Sequence, residues 1–324
     1  MIHHMALPRV AVLRGGMSNE YDVSLKTGAS VCRSLQEMGY PYKDITITRS
    51  GEWLDSGRVR SPEQALLGID VVFIALHGEH GEDGRIQRYL SNHHIPYTGS
   101  RGLASATALN KAFTKRLVTT QGIRTPQSCV ITRDSNAIVS GSLIPQELGE
   151  LLVLKPVSCG SSLDTHVGIT PERAEGLLRK LLERYDSILV EECIVGKEIT
   201  VGVLEQFRNS PYYCLPPIEI EPPQTESFYS FTAKYGTDCV YHCPARLASE
   251  ERKELELAAM TVHRLLDLRH YSRSDFIVST NGIYFLEVNT LPGLTETSLF
   301  PKAMNAIGAD HKQLVAHLVA NAHY

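Results

Sequence analysis

Several familiar signals are missing from this 324-residue chain. No stretch of 18 apolar residues occurs, which excludes a membrane-spanning helix. The start, MIHHMALPRV, lacks a basic segment followed by an apolar one, so it does not read as a secretory signal; residues 1–8 read as a loose tail. Seven cysteines are an odd number, and none form a CxxC pair. A disulfide framework is therefore not expected, and a reducing, cytoplasmic setting is. Cys239, His242 and Cys243 lie close together, but zinc needs a second ligand pair at proper spacing, so they read as ordinary strand or loop residues. Positive charge is not in excess: 32 basic against 36 acidic residues give a net charge of −4. No broad nucleic-acid face is expected, although a local basic pocket is not excluded. The glycine pair Gly15–Gly16 is not a G-x-G-x-x-G turn, which argues against a nicotinamide cofactor. No internal repeat and no low-complexity segment is present.

The apolar runs show strand and helix alternating. RVAVLRGG (9–16) and DVVFIAL (70–76) read as continuous buried strands, as parallel sheets covered on both faces require. Helical periodicity covers Ser18 to Gly39, a strand follows over 42–48, and GRIQRYLSNHH is a short helix. The first part is thus an α/β unit. A helix is predicted over 103–121, a strand over 151–157, an amphipathic helix in PERAEGLLRKLLERY and a strand in SILVEECI. Strands dominate from 197 until a helix over 249–268; a hairpin over 274–289 and a helix near 310–322 close the chain. The proline-rich 216–227 reads as edge or loop.

The hairpin carries the first chemical signal. A two-residue Asn281-Gly282 turn would pair Asp275 with Val288. A three-residue loop with Gly282 left-handed would pair Asp275 with Glu287, and alternation would put Asn289 on the same face as Glu287. That second register gathers Asp275, Glu287 and Asn289 into an all-oxygen cluster, suited to Mg²⁺ or Mn²⁺ rather than zinc. Facing carboxylates repel unless a cation lies between them. The alternative is an exposed acidic face with no ion. Three lysines are candidates for phosphate: Lys111, Lys155 and Lys234. Lys155 ends an apolar strand, where a charge needs a partner. The following SCGSS either closes backbone amides over phosphate or is an ordinary turn.

Taken in order, GGMSNEYDVSLKTG, ALHGEHGEDGRIQ, TALNKAFTK, LKPVSCGSS, VEECIVGKEITVGVL, FTAKY, SRSDF and LEVNTLPGLTETSLFPK resemble the D-alanine–D-alanine ligases of the ATP-grasp superfamily, from about residue 9 to 322. The resemblance implies an ATP-grasp fold preceded by an N-terminal parallel α/β domain, α/β overall with an α+β C-terminal part. The expected divisions are 1–103 for the N-terminal substrate domain, 104–190 for a central subdomain and 191–324 for a C-terminal one. It implies two Mg²⁺ or Mn²⁺ ions on Asp275, Glu287 and Asn289. It implies ATP held by Lys111, Lys155, Lys234, Glu198 and the strand residues Glu191, Glu192 and Ile194. Glu20 is expected to meet the ammonium of the first D-alanine, near His77. Arg273 and the Gly293 amide would surround the tetrahedral intermediate. Ser161 and Tyr235 would join Glu20 in a hydrogen-bonded set, with Ser298 and Leu299 around the second D-alanine. The activity implied is ATP-dependent formation of D-alanyl-D-alanine through an acyl phosphate for peptidoglycan precursors, by a cytoplasmic homodimer that binds neither nucleic acid nor membrane. The alternatives are a D-alanine–D-lactate or D-alanine–D-serine ligase, or a non-catalytic ATP-binding regulator. The chain departs from the family pattern at three places. Leu163-Asp164-Thr165 replaces a small apolar run and puts a negative charge near the phosphate turn. Cys159 stands where Glu or a small polar residue is common, and Tyr21 where His or Arg is frequent.

Overall fold

A computed structural model describes residues 7–134, 144–160, 163–222 and 239–323. Three sheets organise it. The first has strand order β4-β3-β2-β1-β5, with β1 Val10–Gly15, β2 Tyr42–Ile47, β3 Trp53–Asp55, β4 Arg58–Arg60 and β5 Val71–Ile74. Strand β1 runs parallel to β2 and β5, and its Val10, Ala11, Val12 and Leu13 are fully buried, as the apolar runs require. The sheet is not wholly parallel: β3 and β4 extend it antiparallel, a hairpin too polar and short to stand out in the sequence. Helix α1 (Tyr21–Glu37) covers one face, and short helices α2 (Pro62–Ala65) and α3 (Arg85–Asn92) follow.

The helix expected over 103–121 is two helices, α4 (Gly102–Leu109) and α5 (Lys111–Thr119). Asn110 breaks it: its backbone is extended, and its side-chain oxygen accepts the Phe113 N–H at 2.9 Å. Asparagine is among the best residues at this capping position. The second sheet, order β6-β9-β7-β8, is antiparallel and built from β6 Ser128–Thr132, β7 Leu152–Pro156, β8 His166–Ile169 and β9 Ser187–Glu192. Helix α6 (Pro171–Leu182) packs on it through Ala174, Leu178, Leu181 and Leu182. A division at 190/191 falls inside β9.

The third sheet runs β13-β12-β10-β14-β15 with β11 also on β10, from β10 Lys197–Phe207, β11 Ser210–Cys214, β12 Ile218–Glu221, β13 Val240–His242, β14 Tyr271–Ser279 and β15 Gly282–Asn289. Residues 218–221 are not an edge or loop: β12 pairs with β10 on one side and β13 on the other. The prolines that prompted the other reading flank the strand rather than interrupt it. Helix α7 (Ser249–Leu265) backs this sheet. Two last helices, α8 (Leu299–Ala306), which the periodicity did not reveal, and α9 (His311–Ala320), return to the first domain. Their Phe300, Met304, Leu314 and Leu318 share one core with β1 and β5. Among the described residues no helix is long and apolar enough to cross a membrane.

Candidate active site

The second and third sheets enclose a cavity of ≈ 340 Å³. Its apolar walls are Val153 and Val167 from one sheet, Leu151 just before β7, and Ile199, Ile220, Phe276 and Leu286 from the other sheet. Eight of the residues singled out in the sequence line it: Lys111, Lys155, Glu191, Glu192, Ile194, Glu198, Asp275 and Glu287. Apolar walls combined with a few charged groups suit a ligand with a flat ring and an anionic part.

The lysines are buried and paired. Lys155 Nζ lies 2.8 Å from Glu191 Oε2, and Lys111 Nζ lies 3.3 Å from Glu287 and donates to the Cys159 carbonyl. The partner that Lys155 needs is therefore already present as Glu191, rather than waiting to be supplied by phosphate alone. A third lysine, Lys115, also pairs with Glu191. Burial alone would raise the Glu191 carboxyl, but the two ammoniums outweigh it and hold the group below its usual range. Burial would likewise lower Lys155, yet Glu191 and Glu287 raise it above the ordinary lysine value.

The hairpin brings Asp275 opposite Glu287, with Arg273 opposite Asn289. The route differs from the expected three-residue loop. Ser279 pairs with Gly282 across a two-residue Thr280-Asn281 turn, and an irregularity after Asp275 shifts the register by one. An extra residue on β15 makes up the difference, and Leu286 and Glu287 both line the cavity. Gly282 has φ +121°, and a Cβ there would lie 2.6 Å from Arg124 Nη1, so glycine is required at the turn. Asp275 is fully engaged: Arg273 Nε and Nη2 donate to its two oxygens at 2.9 Å each, Thr200 Oγ1 at 2.6 Å and Asn289 Nδ2 at 3.1 Å. Two carboxylates and an amide carbonyl form an all-oxygen donor set that fits a hard divalent ion. Arg273 and Lys111 supply the counter-charge in the arrangement seen here.

A smaller recess next to this cavity shares Lys111, Cys159 and Glu287 with it and adds Glu82, Gly160 and Asn289. Glu20 lies beside it, buried, with Oε2 set against Gly78 and Gly160; a Cβ on either glycine would fall 2.5 or 2.6 Å from that oxygen. His77 is buried between Thr27 Oγ1 (2.8 Å) and the Leu291 carbonyl (3.0 Å). Gly293 lies against Ser298, whose Oγ accepts the Thr295 N–H at 3.1 Å at the start of α8. Leu299 is buried in the core shared with the first domain. Ser161, Lys234 and Tyr235 fall outside the described residues.

Two site residues escaped the sequence reading. Glu82 is buried and ties the 78–82 turn to the chain after the hairpin. Its Oε2 accepts the Gly78 N–H (3.0 Å), and its Oε1 accepts Thr290 N–H (3.2 Å), Thr290 Oγ1–H (3.2 Å) and Leu291 N–H (3.1 Å). Burial, then the neighbouring Glu20, raise its carboxyl above the usual range. Lys115 is the other; a lysine four residues after Lys111 marks the same helix face. The charge of Asp164 is not turned on the phosphate turn. Tyr185 OH donates to it at 2.5 Å and Arg184 Nη2 at 2.9 Å. Burial pushes its carboxyl up, and these bonds more than offset that. His242 is paired with Glu221 at 3.0 Å, and the seven cysteines are free thiols.

An α/β domain followed by two antiparallel sheets that clasp a lysine- and carboxylate-lined cavity defines an ATP-grasp enzyme. The chain belongs to the D-alanine–D-alanine ligase family. The family descriptions "D-ala D-ala ligase C-terminus" and "D-ala D-ala ligase N-terminus" match residues 117–320 and 55–100. The D-alanine–D-alanine ligase of Syntrophotalea carbinolica is 38% identical over 97% of this chain and 96% of its own. That of Aquifex aeolicus is 35% identical over 96% of this chain and 99% of its own. Among solved structures, the VanG D-Ala:D-Ser ligase of Enterococcus faecalis superposes with a TM-score of 0.80 at 28% identity, covering 97% of this chain and 99% of that one. The Bacillus anthracis D-alanine–D-alanine ligase complexed with ATP superposes with a TM-score of 0.77 at 27% identity, covering 97% and 96%.

Proposed function

We infer that this chain joins two D-alanines to D-alanyl-D-alanine with cleavage of ATP to ADP and phosphate, for peptidoglycan precursor synthesis. One observation carries the reading: buried lysines and the acidic hairpin converge on a single cavity. Divalent metal, two Mg²⁺ or Mn²⁺ ions, would be held by Asp275, Glu287 and Asn289 and would offset charge on the phosphates. Lys111 and Lys155, with Lys234, would do the same from the protein side, which is the main need in phosphoryl transfer. Glu191, Glu192, Ile194 and Glu198 would line the base and ribose. Glu20 holds the first D-alanine's ammonium so that its carboxylate reaches the γ-phosphate and forms an acyl phosphate. The second D-alanine, as free amine, attacks the acyl carbon; the Arg273 guanidinium and the Gly293 N–H stabilise the oxyanion, and phosphate leaves with the proton that the amine gives up. His77 holds Leu291, and with it the Gly293 loop, in place. Ser161 and Tyr235 complete the hydrogen-bonded set with Glu20, and Ser298 and Leu299 border the second D-alanine. The enzyme acts as a cytoplasmic homodimer.

A D-serine acceptor is the second reading, supported by the likeness to a D-Ala:D-Ser ligase. Purified protein with ATP, Mg²⁺ and D-alanine, alone and with D-serine or D-lactate added, separates the readings by phosphate release and product mass. Dipeptide of two alanines supports the first; a mixed product as the main species supports the alternative. Nucleotide binding without phosphate release in any mixture would make the chain a regulator.

A further inference from the structure

Glu191 is only 1% exposed, yet its two oxygens are divided between two ammoniums. The register of β7 and β9 puts Val153 opposite Glu191, so Lys155, two residues on, reaches it diagonally on the same face, at Oε2. Lys115 takes Oε1, out of the second turn of α5, and is 3% exposed. Helix α5 is pinned at its start by the Asn110 cap and by the Lys111 N–H to the Val157 carbonyl at 3.0 Å. Its two lysines, four residues apart, point the same way: Lys111 to Glu287, Lys115 to Glu191.

One carboxylate does not need two cations, and burying the second is unfavourable unless it has a use. Lys155 lines the cavity, whereas Lys115 is buried and not among its lining residues. If Lys155 turned toward an anion in the cavity and Lys115 were absent, Glu191 would be left buried, ionised and unpaired. That cost would oppose ligand binding. We propose that Lys115 is the standing counter-ion of Glu191, which frees the Lys155 ammonium to engage nucleotide phosphate. Lys115 is a positioning residue: it acts through Glu191 on Lys155. The inference rests on the ATP-dependent reading given above. The two lysines are also unequal in the expected sense. Burial lowers Lys115 to about 8 despite the pull of Glu191, with Lys155 adding to the fall and Glu287 opposing it. Lys155 is held above its ordinary value by Glu191 and Glu287, so it keeps the proton that a phosphate partner requires.

The test uses the full chain and its Lys115→Met, Glu191→Gln and doubly substituted forms, with ADP and Mg²⁺ titrated by calorimetry and KM measured for ATP and for D-alanine. Lys115→Met should weaken ADP by about tenfold and raise the KM for ATP alike, with the KM for D-alanine within about twofold of wild type. In the Glu191→Gln background no buried carboxylate needs a counter-ion, so adding Lys115→Met should change ADP affinity by less than about twofold. Should the single variant fail to fold, that second comparison decides alone. An equal loss in both backgrounds, or unchanged ADP affinity in folded Lys115→Met, overturns the proposal. Wild-type protein that binds no nucleotide overturns the ATP-dependent reading beneath it, a different result.

Discussion

Asp275 has four hydrogen-bond donors around one carboxylate, two of them from Arg273. Asp275→Asn therefore removes a proposed metal ligand and also the negative charge that accepts from Arg273 Nε and Nη2, a guanidinium only 7% exposed. The expected result is near-complete loss of turnover together with about 2–4 kcal/mol of stability, less than a fully buried pair because Asp275 is partly exposed. Glu287→Gln should abolish turnover with a smaller stability loss, since Lys111 keeps the Cys159 carbonyl. Urea unfolding beside a phosphate-release assay distinguishes the two, and equal stability losses would count against the Arg273 argument. Glu82→Ala is the sharper structural probe. It strands donors from Gly78, Thr290 and Leu291, and buried donors left unmade cost about 1–3 kcal/mol each. We expect a loss of about 3–5 kcal/mol, with turnover reduced more than nucleotide binding, because the loop carrying Gly293 loses its anchor. Unchanged melting would refute the anchoring role.

At the level of elements, helix α5 has one side-chain cap at its start, Asn110. Asn110→Ala should cost about 1 kcal/mol and raise the KM for ATP by loosening both lysines, whereas Asn110→Asp should preserve both; melting temperature and initial rates check this. The hairpin shows how far a pattern can be read. Alternation along β15 made Glu287 and Asn289 neighbours in the sequence alone, and their facing of Asp275 also holds. The turn was misread, because a bulge and a loop insertion shift register by the same one residue. Lys115 and Glu82 were illegible for another reason. A lysine on a helix and a glutamate in a glycine-rich turn look solvated until distant segments close over them. Asn110 could have been recognised, as an asparagine followed by a helical run is a capping signal.

Across the whole molecule, buried histidines contribute to the response to acid. His270 Nδ1 accepts the Gly99 N–H at 2.8 Å, so the folded ring cannot be protonated there without losing that bond. Burial lowers its pKa to about 3; His323 and Arg269 add to the effect and Glu205 opposes it. Burial also lowers His311. An unfolded histidine titrates near 6.5, so between about pH 6.5 and 3 the unfolded chain binds protons that the folded one refuses. Stability is full above that window and is lost as pH falls through it, by up to about 1.4 kcal/mol per unit from His270. Urea midpoints at about pH 7.5 and 5 should show the decline, and His270→Gln should flatten it; an unchanged slope would assign the acid sensitivity elsewhere.

The first sheet and the last two helices share one core, and His311 near the chain's end hydrogen-bonds Ser34 Oγ (2.7 Å) and the Leu294 carbonyl (2.6 Å). On the ribosome this arrangement imposes a delay. Strand β1 is made first, but the partners that cover its domain emerge last, roughly 15–60 s later at bacterial-to-eukaryotic elongation rates of about 5–20 residues per second. Strand β1 is covered early by α1, β2 and β5, whereas the face of α1 that receives the last helix stays apolar and open until then, so nascent chains stalled before residue 311 are the species a chaperone should capture most strongly.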